Sequence, residues 1–297
     1  VSVGPLEKLL ERGQTVILDG AMGTELGRRG VDMRLPLWSA RALMTTPATV
    51  LQIHREYCTA GADIITANTF RTTARTFRRG RLADRSLELT GQAVRLARQA
   101  RDETRERTIL IAGSIAPLED CYRPDLVPDD HILRLEHTEQ AYRLAAAGVD
   151  FLLLETMGTI REAFAACEAA RKTGVETMVS LLCRPDGSLY GGESLEDAVT
   201  ALEPLGVAAF SLNCVPARSL TSLVARLRGA TDLPLGAYGN AGQAGREREG
   251  ELLCDVGPEE YARLAQEWVA AGASIVGGCC GTGSEHIRMI AASLKHA

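Results

Sequence analysis

At 297 residues, with 45% hydrophobic, 24% charged and 4% aromatic side chains, the chain has a globular composition, which excludes the disordered, fibrous and membrane-spanning classes. Its 33 basic against 38 acidic residues leave a formal charge of −5, so no general attraction to nucleic acid or to an anionic membrane is expected. No apolar stretch nears the ~20 residues that cross a bilayer, and the start VSVGPLEKLLERGQ has no basic n-region or apolar h-region, so a cytoplasmic protein is expected.

Eight short apolar runs rich in β-branched residues alternate with longer segments of helical period. The predicted strands are TVILDG (15–20), ADIITAN (62–68), TILIAGS (108–114), VDFLLLE (149–155), ETMVSLL (176–182), VAAFSLN (207–213), LPLGAY (233–238) and ASIVGG (273–278). Each is apolar almost throughout, as parallel strands covered on both faces are. Helices are predicted between them, among others over 48–61, 86–103 and 131–148, with Gly61, Gly148, Gly174 and Gly272 placed where a helix ends in a residue of positive φ. Eight β/α units without a break in composition predict an α/β fold, a single (β/α)₈ TIM barrel domain over 1–297. A doubly wound sheet fits less well, because DGAMGTELG lacks the G-x-G-x-x-G spacing of a dinucleotide turn. Two connections, Ala116–Asp130 and Gly239–Gly257, are long enough to serve as lids or binding loops.

In a barrel the chemistry sits at the C-terminal ends of the strands. Those ends read Asp19-Gly20, Asn68-Thr69, Ser114, Glu155-Thr156, Cys183, Asn213-Cys214, Tyr238 and Gly277-Gly278-Cys279-Cys280, a polar and sulfur-bearing ring. Cys214 ends the sixth run, and Cys279 and Cys280 are adjacent in GGCCGT at the end of the eighth, so three thiols can converge at the C-terminal mouth. Soft thiolates select zinc, and three protein ligands leave one position for water or substrate. A redox-active vicinal pair and inert buried thiols are the alternatives for these residues. Cys58, Cys121, Cys167, Cys183 and Cys254 read as small buried apolar residues, and eight cysteines in this length are too sparse for a disulfide framework.

DGAMGTELGRRG, LPLWSARALMTTPATVLQIHREYCTAGADIITANTF, AGSIAP, LLLET, SLNC, AYGNAG and IVGGCCGT together resemble the zinc-dependent homocysteine S-methyltransferases over essentially the whole chain. The LPLWSARAL segment is most similar to the branch that takes its methyl group from S-methylmethionine.

The resemblance implies that Cys214, Cys279 and Cys280 hold Zn²⁺, and that Glu155 receives the ammonium of homocysteine with Asp19 as the second catalytic carboxylate. Gly20, Asn68, Thr69, Asn213 and Tyr238, all at strand ends, complete the expected substrate-binding set. A cationic donor should face aromatic rings, with Trp38 first and Phe70 and Tyr238 next. The expected reaction is methyl transfer from a sulfonium, S-methylmethionine or S-adenosylmethionine, to homocysteine thiolate, giving methionine. The alternative is a homocysteine-binding module supplied with its methyl group by betaine or by a separate folate or corrinoid protein. The expected partners are therefore homocysteine and a small methyl donor, with no nucleic acid and no membrane, in a monomer or weak homo-oligomer. The run RTTARTFRRGRLADR (71–85), with six arginines, reads as a solvated face. His286 reads as the surface of a first helical turn.

Overall fold

The computed structural model describes residues 3–82, 85–104, 106–248 and 251–295. Eight parallel strands form one sheet: β1 (Val16–Ile17), β2 (Ile64–Ala67), β3 (Leu110–Ile115), β4 (Phe151–Met157), β5 (Thr177–Leu181), β6 (Ala209–Pro216), β7 (Leu235–Asn240) and β8 (Ile275–Gly278). Each pairs with its neighbours in sequence, and β8 also pairs with β1. A bridge between Leu18 and Ile64, with the Asp63 amide donating to the Ile17 carbonyl at 2.7 Å, joins β1 to β2 and closes the ring. The fold is thus a (β/α)₈ barrel.

The predicted helices occur as Pro47–Ala60, Ser86–Glu103 and Asp130–Ala147. Gly61, Gly148, Gly174 and Gly272 have φ of 110°, 78°, 72° and 115°, the left-handed region that a residue without Cβ enters freely. Among the described residues no helix is long and apolar enough to cross a membrane.

The strand period of two decides what fills the barrel. Val16, Leu18, Ile64, Leu110, Ala112, Phe151, Leu153, Met178, Ala209 and Ile275 form one buried interior cluster, which Leu6 and Leu9 of the helix Pro5–Leu10 close from the N-terminal end. That helix is seated by Glu176, whose carboxylate accepts from the Leu6 and Glu7 amides at 2.7 and 2.9 Å. Fully burying a side chain such as Phe151 contributes roughly 1.5–3 kcal/mol. A larger apolar cluster lies between strands and helices. Continuing each inward row toward the C-terminal end replaces the apolar residues with Thr66, Ser114, Glu155, Ser180 and Asn213. One mouth of the barrel is therefore polar above an apolar floor.

Three expectations are corrected. β1 is shorter than 15–20, whereas β4 and β6 run past Glu155 and Asn213 through register irregularities at Leu154–Met157 and Asn213–Pro216. The connection Gly239–Gly257 contains an antiparallel hairpin, Gly242–Arg248 with Glu251–Cys254; glycines and charges in GQAGRER hide the apolar pattern by which the other strands are read. His286 is half buried, its Nδ1 accepting from the Gly283 amide at 3.2 Å and its ring edge-on to Tyr261.

Candidate metal and substrate site

Cys214, Cys279 and Cys280 meet at the polar mouth, with their sulfurs all within 4.8 Å of one another and 3.1 Å between Cys214 and Cys279. Sulfurs bound tetrahedrally to one zinc at ~2.3 Å lie roughly 3.8 Å apart, which falls inside that spread, so the trio fits a zinc ion with the fourth position free. Crowding couples their ionisation. Cys280 is pushed down because it accepts from the other two thiols, and Cys214 is pushed up because it donates to Cys279 and Cys280.

The backbone is bent to make this possible. Cys214 has φ 56° and Thr156 has φ 63°, both in the left-handed region that a residue with a β-carbon rarely adopts. At the end of β8, a β-carbon on Gly277 would stand 2.6 Å from the Leu18 side chain, and one on Gly278 would stand 2.7 Å from Cβ of Thr282. Only glycine lets the Cys279-Cys280 turn lie this close to β1. Asn240 ties the two cysteine-bearing strands together: its Nδ2 donates to the Cys214 carbonyl at 3.0 Å and its Oδ1 accepts from the Cys280 amide at 3.1 Å. Asn240 stands in the AYGNAG motif, but nothing in the sequence pattern marks it as a site residue.

Two cavities meet at the thiols. The inner one, about 110 Å³, is lined by Asp19, Gly20, Asn68, Glu155, Asn213 and Tyr238 among others. The outer one, about 460 Å³, is lined by Leu35, Pro36, Arg71, Leu118 and Tyr122 among others, with part of its wall from the connection that follows β3. Trp38, Phe70, Thr156, Cys214 and Cys280 line both. The Trp38 and Phe70 rings stand edge to face with centroids 5.6 Å apart.

The inner cavity holds two strained acids. Burial pushes the Glu155 carboxyl up to about 7, against the hydrogen bond it accepts from the Ser114 hydroxyl. Burial likewise pushes Asp19 up to about 7, although its carboxylate accepts from the Thr66 amide at 2.8 Å and hydroxyl at 2.9 Å. A cation entering here would relieve both acids, and an ammonium is one.

Of the residues expected at the site, Gly20, Trp38, Asn68, Glu155, Asp19, Asn213 and Tyr238 line the inner cavity. Thr69 lines neither cavity; it is buried and donates to the Ser114 carbonyl at 2.8 Å, behind the residue that holds Glu155. The Asn68 amide nitrogen donates to the Ser39 carbonyl at 2.9 Å. Thr66, Ser180 and Arg71 were not singled out as site residues, because a lone hydroxyl inside a strand, or one arginine among six in a charged run, carries no pattern.

The profile of the homocysteine S-methyltransferase family matches residues 16–294. Homocysteine S-methyltransferase 1 of Zea mays is 32% identical, the match covering 99% of this chain and 98% of the maize one. A selenocysteine Se-methyltransferase of Brassica oleracea var. italica is 30% identical, over 96% of this chain and 90% of its own. The crystal structure of the Escherichia coli homocysteine methyltransferase MmuM in its metallated form superposes with a TM-score of 0.85 at 31% identity, covering 97% of this chain and 99% of that one. A family profile that spans nearly the whole chain, a metallated structural relative and a three-thiol centre at the barrel mouth lead to one conclusion: this chain belongs to the homocysteine S-methyltransferase family.

Proposed function

We propose that the protein transfers a methyl group from a sulfonium donor, S-methylmethionine or S-adenosylmethionine, to the sulfur of homocysteine, giving methionine, with zinc held by Cys214, Cys279 and Cys280. The observation that carries this reading is the junction of two cavities at the thiols and at the Trp38–Phe70 pair. One cavity suits an amino-acid acceptor and the other a donor, and the aromatic rings stand where a donor's positive charge would lie.

At pH 7 roughly 3% of a thiol of pKa ~8.5 is ionised. A zinc ion bound by the three sulfurs supplies a Lewis acid that keeps the acceptor sulfur as a thiolate. Glu155 and Asp19 receive the acceptor's ammonium, with Gly20 and Asn68 beside them, and this fixes the direction from which the sulfur points at the donor. Ser114 holds Glu155, and Thr69 holds the backbone of Ser114. Asn213 and Tyr238 close the inner cavity, and Asn213 shapes the strand that carries Cys214. The new C–S bond forms as the donor's S–CH₃ bond breaks. The sulfonium leaves as a neutral thioether, and the acceptor's proton goes to solvent. Holding the two reactants in line is worth up to ~7–11 kcal/mol in well-oriented cases, more than the gain in thiolate fraction. Because charge is neutralised along the path, the buried mouth favours the transfer.

The chain works as one homocysteine-binding domain, and a reducing cytoplasmic setting suits a chain with eight cysteines. The test is methionine formation by the zinc-loaded protein from homocysteine and S-methylmethionine, with S-adenosylmethionine and betaine as parallel donors and selenocysteine as a parallel acceptor. Turnover with a sulfonium that stops on chelation is the expected result. No turnover with any small donor would move the methyl source to a folate or corrinoid partner and overturn the sulfonium reading.

A further inference from the structure

The arginine-rich run after β2 does not behave as one solvated face. Arg75 is paired with Glu136 at 2.7 Å and Glu119 at 2.8 Å, Arg78 with Glu136 at 2.9 Å, and Arg85 with Glu88 at 2.6 Å. Arg79 also pairs with Glu119, so that carboxylate is already shared by two guanidinium groups. Arg81 is exposed. Arg71 differs from all of these, because it lines the outer cavity and among the described residues forms no ion pair. Its Nε is buried without a hydrogen-bond partner, and its Nη1 reaches only the Glu119 carbonyl at 3.4 Å. Its guanidinium carbon stands 5.2 Å from the centre of the Phe70 ring, one of the two rings that wall the junction with the thiols. Desolvation pulls its pKa below the usual guanidinium value, outweighing the opposing influence of Cys121, Asp120 and Glu119 nearby.

We propose that Arg71 is the specificity residue of the donor cavity, which takes the carboxylate of a zwitterionic methyl donor while the donor's onium group lies at Trp38 and Phe70. The inference rests on the sulfonium reading above and goes beyond it by naming what holds the far end of the donor. Two facts argue for it. Arg71 lines the cavity with its guanidinium outside any ion pair among the described residues, and such a group binds a planar carboxylate through two parallel hydrogen bonds. A cationic donor entering beside an unpaired arginine would also be repelled, unless it brings its own negative charge to that wall. Both S-methylmethionine and betaine carry such a carboxylate, so the donor's length decides between them. Asp120, exposed on the same cavity rim, is placed to meet an amino-acid donor's ammonium, a group that betaine lacks.

The test compares S-methylmethionine with its decarboxylated analogue, (3-aminopropyl)dimethylsulfonium, at saturating homocysteine, in the zinc-loaded full chain and its Arg71→Ala and Arg71→Lys variants. Zinc content and thermal midpoint are recorded for each. The unaltered protein should prefer the carboxylate-bearing donor by about 30- to 100-fold in kcat/KM, the range of a charge-assisted hydrogen-bond pair. Arg71→Ala should shrink that preference to within about 3-fold, by raising the KM for S-methylmethionine and, with the repulsion gone, by lowering the KM for the analogue. Arg71→Lys should fall between, since a point charge replaces a fork. Betaine should lose as much as S-methylmethionine if it is used at all. Equal use of the two sulfoniums by the unaltered protein would overturn the inference without any variant. An unchanged preference in Arg71→Ala, or an equal fall for both donors, would overturn it too. If the unaltered protein uses neither sulfonium, the functional reading fails first and the role of Arg71 falls with it; turnover with intact discrimination in Arg71→Ala sinks the role of Arg71 alone.

Discussion

Asn213 and Thr156 hold each other across β6 and β4 by two hydrogen bonds: the Asn213 Oδ1 accepts from the Thr156 amide and its Nδ2 donates to the Thr156 hydroxyl, both at 2.9 Å. Ser180 of the intervening β5 adds a third bond at 2.7 Å to the same oxygen. Each partner neighbours the chemistry, since Thr156 follows Glu155 and Asn213 precedes Cys214. The left-handed conformations of Thr156 and Cys214 each store about 1–3 kcal/mol, and this buried bracket holds both in place. Glu155, proposed to receive the substrate's ammonium, and Cys214, proposed as a metal ligand, thus both adjoin residues held by one side chain.

Asn213→Ala should therefore act on stability and metal binding together. Losing three buried bonds should cost about 2–4 kcal/mol in denaturant unfolding. Relaxation at Cys214 should weaken zinc about 10- to 100-fold in a chelator competition. A variant that unfolds more easily yet holds zinc unchanged would show that the bracket serves the fold alone.

Substituting the thiols separates ligands from ordinary core cysteines. Cys214→Ala and Cys280→Ala should each lose zinc and turnover together. Cys183→Ala should keep one equivalent of zinc, because Cys183, 2% exposed at the end of β5, belongs to the apolar cluster between strands and helices. Metal analysis of the three purified variants decides it: zinc retained in either of the first two removes that residue from the ligand set.

The carboxylate proposed to receive the substrate's ammonium has its own signature. Glu155→Gln keeps an oxygen for the Ser114 hydroxyl but removes the charge, so zinc content should stay the same while the KM for homocysteine rises about 10-fold or more. The same substitution should leave 4-mercaptobutanoate, which lacks the ammonium, unaffected. An equal loss with both thiols would place Glu155 in general packing instead.

Much of this site was legible because a barrel turns strand periodicity into position. Once eight apolar runs are counted, the last residue of each falls at one mouth, and Glu155, Asn213 and the vicinal cysteines can be placed together without coordinates. Thr66, Ser180 and Asn240 could not be found that way. Their importance lies in whom they bond, and register across neighbouring strands is not written in any one strand. The positive φ of Thr156 and Cys214 was equally hidden, since neither residue type signals the left-handed region as glycine does. Arg71 was masked by composition: five further arginines in its run make a solvated face the natural reading, and only the cavity separates it from them.

The last prediction concerns Asp19, whose buried carboxyl is held at about 7 against a model-peptide value of 3.8. The folded state binds this proton more tightly than the unfolded chain does, so the group's contribution to stability falls as pH rises from about 4 through about 7 and stays lost above. A shift of that size corresponds to about 4 kcal/mol as an order of magnitude. His54, buried with both ring nitrogens unbonded and pulled down to about 4 by burial, works the other way across the same window, because its proton goes preferentially to the unfolded chain as pH falls. Glu155, likewise pushed up to about 7 by burial, adds to the Asp19 slope and His54 opposes it, so the prediction is made for the difference between Asp19→Asn and the unaltered chain, in which His54 cancels. That difference should favour the variant by several kcal/mol at pH 8 and shrink toward zero near pH 4, in urea unfolding at matched zinc content. The variant should also lose kcat/KM for homocysteine, since the anion that destabilises the fold is the one proposed to meet the substrate's ammonium. A pH-independent difference would mean that Asp19 titrates as an ordinary carboxyl, and a variant less stable at every pH would mean that its bonds to Thr66 outweigh its buried charge.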